Sequence, residues 1–421
     1  MSHSSPSASM HEPALTSLSD SDASTVPWYQ PSVLPVIPVD PQWRVLRGSG
    51  LEVVDEPQLH AALRKETAKT SLKTRLNSDL KAAPPQDDLV SFVVPPLVDR
   101  MLPAVECPEL HADILQRDEN MLRHTRVSQG KLFVAMLGLL LLLFMLKAGG
   151  LLLLAFIYMG DSGYNYFAAH QQLRQLQRTP ADYLAARGAD LRYALWLRQN
   201  GQAGVARRLV LAVTWGLIAV LQIYVKGLHQ SPADIQAAGL VKALVWDEPW
   251  RLLTAAMLHG GLIHLLVNLA SLMSLGLIME RSVHRSLVVP VWLAGALGGS
   301  VFSWCLLDAT SIGASGGLMG MFGFLLAMGW QRRTVLPPDF FRNLVRGLGL
   351  MTLIGIVAWE IIDNAAHAGG LLTGAVFGWL VFRRADASLP LKPSKWLNLG
   401  GMVADGLFLA VALLTVYLML K

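Results

Sequence analysis

The sequence is short of charge and short of cysteine. Only 15% of its 421 residues are Asp, Glu, Lys or Arg, where soluble domains carry about 25%. That leaves too little charge to coat an ordinary soluble protein. The two cysteines, Cys107 and Cys305, lie far apart, which excludes a disulfide-stapled secreted module and a CxxC metal knot. The first 40 residues contain no basic stretch followed by an apolar run, so no secretory signal peptide is read there. The composition is neither that of a disordered chain nor that of a collagen.

Apolar residues are in excess, at 53% of the chain with a mean hydropathy of +0.42. The formal charge of +5 (35 basic minus 30 acidic) hides a split. Residues 1–130 hold 12 Lys/Arg and 17 Asp/Glu, a net of −5; residues 131–421 hold 23 and 13, a net of +10. A basic, apolar C-terminal two-thirds suggests membrane flanks rather than nucleic acid.

Hydrophobic segments lie near 132–159, 209–225, 252–279, 287–307, 312–330, 344–359, 364–382 and 397–420. About 20 apolar residues cross a hydrocarbon core, and a spanning backbone must satisfy its own hydrogen bonds, so these read as helices. The expected class is an all-α polytopic membrane protein. Residues 1–40 read as a disordered tail and 41–130 as a soluble region. Residues 131–160 read as a hydrophobic hairpin or extra transmembrane segment, with Lys147-Ala148-Gly149-Gly150 in its middle. A dip into the membrane and back is favoured over a single crossing. An amphipathic connector follows over 161–206 (Leu173, Leu176, Tyr183, Leu184, Leu191, Leu195). The core is placed at 207–385 and an additional helix at 396–421.

Basic residues orient the core. Arg207, Arg208, Arg281, Arg285, Arg332, Arg333, Arg342, Arg346, Arg383, Arg384, Lys392 and Lys395 fall on one side; Lys226, Lys242 and Arg251 fall on the other. Twelve against three puts the first set inside. The 252, 312 and 364 segments then run from outside to inside.

These three segments carry the polar groups. They hold His259-Gly260-Gly261-Leu262-Ile263-His264 with Asn268, Gly313-Ala314-Ser315-Gly316, and Ala366-His367-Ala368-Gly369-Gly370. His264 and Ser315 each lie 17 residues before an inner arginine (Arg281, Arg332), and His367 lies 16 before Arg383. At about 1.5 Å per residue, all three sit roughly 24–26 Å above the inner belt, just below the outer surface of a core about 30 Å thick. Asn268 is one turn deeper on the face of His264. A hydroxyl, two imidazoles and an amide at nearly one level suit acyl transfer. Ser315 would be the nucleophile and His367 its general base and then acid. Gly313 and Gly316 would leave room for a substrate strand. His264, Asn268 and the Ser315 N–H would donate to the oxyanion. His259 is assigned to structure. Gly370, Gly374 and Gly378, four apart, read as a close-packing stripe that brings His367 toward the 312 helix.

This pattern resembles the rhomboid family of intramembrane serine proteases. The matching residues are Trp250-Arg251, the spacing of His259, His264 and Asn268, Gly313-Ala314-Ser315-Gly316, and Ala366-His367 with Gly370. The resemblance covers about 205–385. It implies a six-helix bundle with an extra C-terminal helix and an extra N-terminal hydrophobic segment, a Ser315–His367 dyad, an oxyanion hole lined by His264 and Asn268, and an outer loop at Trp250-Arg251 lying partly in the membrane. It implies no cofactor and no metal. The implied partners are transmembrane protein substrates and the lipid bilayer, without nucleic acid; partners of the N-terminal region are not identified. The implied location is a bacterial inner membrane, with the site opening outward. Other readings fit less well. A zinc protease needs HExxH, and residues 259–264 read HGGLIH. Aspartyl intramembrane proteases need mid-membrane acids, whereas Asp308 and Asp363 lie near outer ends. A transporter would show an inverted repeat with broken helices. A non-proteolytic relative that binds membrane helices would lack the Ser or the His.

Overall fold

The computed structural model describes residues 37–47, 50–64, 91–145, 149–199, 206–226, 232–383, Leu389, Leu391 and 394–421. Most of the expected tail at 1–40, and Lys147, Ala148, Arg384 and Lys392, lie outside the described residues. The chain divides into two compact units.

The first unit comprises residues up to Thr125 together with Ala169–Arg192. Strands β1 (Trp43–Arg47), β2 (Gly50–Val54), β3 (Phe92–Val94) and β4 (Leu102–Pro103) form an antiparallel sheet in the order β2-β1-β3-β4. Val45 pairs with Glu52 on one side and Val93 on the other, so Val45 and Val93 both enter the core. Helix α1 (Glu56–Arg64) adds Leu59 and Leu63. The start of α2 (His111–Met145) adds Ile114. The end of α3 (Gly149–Arg178) adds Leu173 and Leu176, and α4 (Pro180–Gln199) adds Tyr183 and Leu184. Leu173, Leu176, Tyr183 and Leu184 of the connector are therefore core of this unit, with Leu191 packed against them, whereas Leu195 falls in the second unit. One fully buried charge is paired, as burial demands. Asp118, fully buried, is held by Arg117 at 2.8 Å and the Tyr183 hydroxyl at 2.9 Å.

The second unit comprises Arg126–Ala168 and Tyr193–Lys421. Within it, the later part of α2 and the earlier part of α3 run antiparallel. A methyl on Gly130 would lie 3.2 Å from the Tyr166 ring, and one on Gly163 would lie 3.1 Å from Phe133. One number rises as its partner falls, which is the register of a hairpin.

The remaining helices are α5 (Arg207–Lys226), α6 (Pro232–Ala238), α7 (Arg251–Thr254), α8 (Leu262–Met279), α9 (Val288–Leu306), α10 (Ser315–Gln331), α11 (Pro338–Val357), α12 (Asn364–Phe382) and α13 (Lys395–Leu420). Among the described residues, six helical stretches are long and apolar enough to cross a membrane, and the protein is a multi-pass membrane protein. Helix α10 is shorter, at 17 residues. That is about 26 Å at 1.5 Å per residue, so its N-terminus need not reach the far surface of a core about 30 Å thick.

The structure corrects one boundary. The apolar segment at 252–279 is not one helix. It contains the short α7, a 3₁₀ turn at Ala255–Met257, and a turn through Gly260-Gly261 before α8 starts at Leu262. The cause is local: Gly261 has φ +114°, a conformation that side-chain-bearing residues avoid.

Helices α9, α10 and α12 meet through glycine. Gly295 of α9 faces Gly320 of α10, so closely that a methyl on Gly320 would lie 2.6 Å from the Gly295 Cα. Gly370 and Gly374 of α12 rest on the Gly316 and Gly320 carbonyls, and Gly378 rests on that of Phe324. Small residues let backbones approach where lipid supplies no hydrophobic drive.

Candidate active site

Ser315 is the first residue of α10, a helix start where free N–H groups and the dipole favour negative charge. Gly313, two residues earlier, has φ +136°. The segment before Ser315 is held by backbone bonds to the outer loop. The Gly313 N–H donates to the Ala255 carbonyl at 2.9 Å, and Leu240 and Ser311 form an antiparallel bridge at 2.9 and 3.3 Å.

His264 lies in the first turn of α8. Its Nδ1 accepts the Gly260 backbone N–H at 3.1 Å. A neutral imidazole so engaged carries its proton on Nε2. That edge of the ring faces Gly313: a methyl there would lie 2.8 Å from His264 Cε1, 3.0 Å from Nε2 and 3.9 Å from Ser315 Oγ. The structure thus gathers His264, Gly313 and Ser315 around one small space. Asn268, one turn further along α8, is buried, and among the described residues its Nδ2 has no hydrogen-bond partner. A buried amide donor without a partner costs free energy on the order of 1–3 kcal/mol, which such a site recovers when an acceptor arrives.

His367 lies in the first turn of α12. Asp363 caps that helix: its side chain accepts the Ala366 N–H at 2.8 Å, and its carbonyl accepts the His367 N–H at 3.1 Å. The Ala366 carbonyl faces Gly299 and Gly316, at 2.7 and 3.6 Å from methyls placed there. The residue before His367 therefore packs on the residue after Ser315. Among the described residues no hydrogen bond joins the Ser315 hydroxyl to the His367 ring. Such bonds commonly tighten only when substrate is bound.

His259 lies in the loop before α8 and is buried. Its ring sits 5.5 Å from that of His264 and 5.6 Å from that of Trp215. Its backbone N–H donates to Gln222 Oε1 at 3.1 Å. It works as a spacer between α5 and the His264 ring. Arg251, read from sequence as an outer-loop charge, is buried. It donates to the Gly239 and Gln236 carbonyls at 2.7 and 2.8 Å, closing the end of α6, and pairs with Glu248 at 2.5 Å. Trp250 beside it is exposed.

Residues 247–384 match the Rhomboid domain. RHOMBOID-like protein 4 of Arabidopsis thaliana is 34% identical over 168 residues, covering 37% of this chain and 41% of that protein. RHOMBOID-like protein 6, mitochondrial, of the same plant is 32% identical over 149 residues, 35% of this chain and 48% of that one. Rhomboid protease GluP of Bacillus subtilis (strain 168) is 34% identical over 130 residues, 30% of this chain and 25% of that one. The chain thus covers less than half the length of each of these relatives. They come from a plant and a bacterium, and one name points to mitochondria, so they do not assign this chain to a bacterial inner membrane.

Proposed function

We propose that the chain, whose residues 247–384 match the Rhomboid domain, is an intramembrane serine protease of the rhomboid family, with Ser315 as nucleophile and His367 as base and acid. One observation carries the reading: the Gly260 N–H holds His264 Nδ1, so Nε2–H turns toward the space in front of Ser315. A packing histidine has no need of that tautomer beside a hydroxyl.

The chemistry follows. Ser315 Oγ attacks the scissile carbonyl and its proton passes to His367. The oxyanion accepts from His264 Nε2–H, Asn268 Nδ2–H and the Ser315 N–H. As the tetrahedral species collapses, the C–N bond breaks and the imidazolium of His367 protonates the leaving amine. Water, deprotonated by His367, then hydrolyses the acyl-Ser315 ester, and Ser315 regains its proton. Substrates would be single-helix membrane proteins opened near the outer surface. A peptide bond inside a helix is protected, so Gly or Pro near the cut should help.

Topology belongs to the same proposal. Both flanks of the α2–α3 hairpin contribute to the first unit, and a folded unit cannot lie on two sides of a bilayer. On this reading the hairpin enters and leaves by one face, and Arg207 and Arg208 argue for that face being the inner one. Purified protein treated with a fluorophosphonate should be labelled at Ser315. Labelling should vanish in Ser315→Ala and fall sharply in His367→Ala. Full labelling of Ser315→Ala would reject the nucleophile. Helix binding by Ser315→Ala, with no cleavage by the wild type, would favour the non-proteolytic reading.

A further inference from the structure

A polar ring sits one helical turn upstream of both members of the dyad. Lys242, just past the outer strand stub, donates from Nζ to Ser303 Oγ at 2.6 Å and to Ser311 Oγ at 2.9 Å. The two hydroxyls are 3.1 Å apart. Ser311 donates to Asp363 Oδ2 at 2.6 Å, and Ser303 donates to the same oxygen. Asp363 Oδ1 holds the Ala366 N–H at 2.8 Å. Ammonium and carboxylate are thus bridged by two serines, one of which, Ser303, is completely buried. Ser311 precedes Ser315 by four residues and Asp363 precedes His367 by four. A single carboxylate therefore ties both catalytic segments, and α9 through Ser303, to one point.

We infer that Lys242, Ser303, Ser311 and Asp363 form a positioning unit that sets the register of the nucleophile's segment against the helix of the base; the inference rests on the dyad proposed above. None of the four touches the reacting atoms. They act on the distance between Ser315 and His367, alongside the glycine contacts and the backbone bonds of Gly313 and Ser311. An ordinary helix cap needs only one oxygen of Asp363. The second oxygen, the two hydroxyls and the lysine have no work in capping, but they join three separate parts of the chain. Charge-assisted hydrogen bonds of this kind are stronger than neutral ones and hold geometry more tightly.

The test uses full-length protein in liposomes with a fluorogenic single-helix substrate, and deuterium exchange on the same samples. Asp363→Ala should lower kcat by about ten- to a hundredfold, the scale expected of misplacement by about 1 Å, with KM little changed. Asp363→Asn keeps a cap and an acceptor and should recover much of that loss. Lys242→Met keeps the stem and leaves the cap untouched, yet it should lower kcat in the same direction. Exchange tests the ring without catalysis. In Lys242→Met, backbone amides of both 309–314 and 364–367 should exchange faster than in wild type. Faster exchange at 364–367 alone in Asp363→Ala, with 309–314 unchanged in both variants, would reduce Asp363 to a cap and overturn the inference, whether or not the chain cleaves anything. Unchanged kcat in Lys242→Met beside an active wild type would also overturn it. A wild type that neither cleaves nor labels, with the exchange result as expected, would reject the protease and leave the ring.

Discussion

Gly299 offers the sharpest test of how α9 sets the site. It lies against Gly316, next to Ser315, and against Ala366, next to His367. A methyl at Gly299 would meet the Ala366 carbonyl oxygen at 2.7 Å and the Gly316 Cα at 3.2 Å. A relaxed carbon–oxygen contact lies at about 3.3–3.6 Å, so Gly299→Ala must drive α12 outward by about 0.6–0.9 Å. The obstacle is backbone on both sides, so no side-chain rotation relieves it. Misplacement of about 1 Å can cost about 10²-fold in rate, so kcat should fall by about 10–10²-fold, or roughly 1.4–2.7 kcal/mol of barrier. Overpacking should also cost about 1–3 kcal/mol of stability. Gly216→Ala and Gly406→Ala are the controls, because a methyl at either meets nothing within 4 Å. Each should be neutral or gain up to about 1 kcal/mol from helix propensity. Cleavage of a reconstituted substrate, with fluorophosphonate labelling of Ser315 as a second measure, separates them. If Gly299→Ala turned over like Gly406→Ala, close approach of these helices would not govern the site.

Three further outcomes are expected. His264→Ala and Asn268→Ala should each slow cleavage by about 10²–10³-fold, with the pair less than multiplicative because both act on one charge; full turnover in both single variants would refute the oxyanion role. Gly313→Ala forces a methyl to 2.8 Å from the His264 ring at φ +136°; backbone strain of about 1–3 kcal/mol and a displaced imidazole should reduce kcat while Ser315 remains in place, and an unchanged kcat would show that the space is not used. Cys107 is buried, and burial, with Glu109 and Glu106 adding repulsion, pushes its thiol up to about 12. At pH 8 about 10⁻⁴ of the molecules would carry the thiolate, so maleimide should reach Cys107 only in denaturant. Folding here favours the protonated thiol, so its contribution to stability is intact below the free-thiol value of 9.0 and is lost as pH rises toward about 12; an alkaline melting series against Cys107→Ala checks this. A surface reporter of sidedness is better placed at Glu109→Cys in a Cys107→Ser background, since Glu109 is exposed.

The membrane helices were legible because twenty-residue apolar runs and flanking arginines are coarse, additive signals. Ser315, His264, Asn268 and His367 stood out as candidates because polar groups are conspicuous inside such runs and their spacing to Arg281, Arg332 and Arg383 suggests one depth; the structure brings His264 and Ser315 around Gly313. Elsewhere local signals were weak. The sheet has strands of two to five residues, with β2 and β3 separated by more than thirty-five residues. No periodicity survives at that length. Arg251 counted as an outer charge, yet it is spent on the carbonyls of α6. Lys242 and Asp363 also read as outer-loop charges, because a ring assembled from three distant parts of the chain leaves no spacing in the sequence. One part was within reach: an Asp directly before Asn-Ala-Ala-His at the start of an apolar helix is the signature of an N-cap.

The discontinuous make-up of the first unit has a consequence for synthesis. Its sheet, α1 and the start of α2 leave the ribosome first, with Leu59, Leu63 and Ile114 still lacking the partners that Leu173, Leu176, Tyr183 and Leu184 will supply. Synthesis must run on 67 residues from Thr125 to reach Arg192, and of these 126–168 belong to the other unit. At about 5–20 residues per second, that gap lasts roughly 3–13 s. If the hairpin enters and leaves the bilayer by one face, as proposed above, a half-built core waits through that interval on that face, and closure of the domain would report that insertion has finished correctly. A chain whose hairpin crossed and failed to come back would then keep its apolar half-core open, in the state that cellular proteases remove.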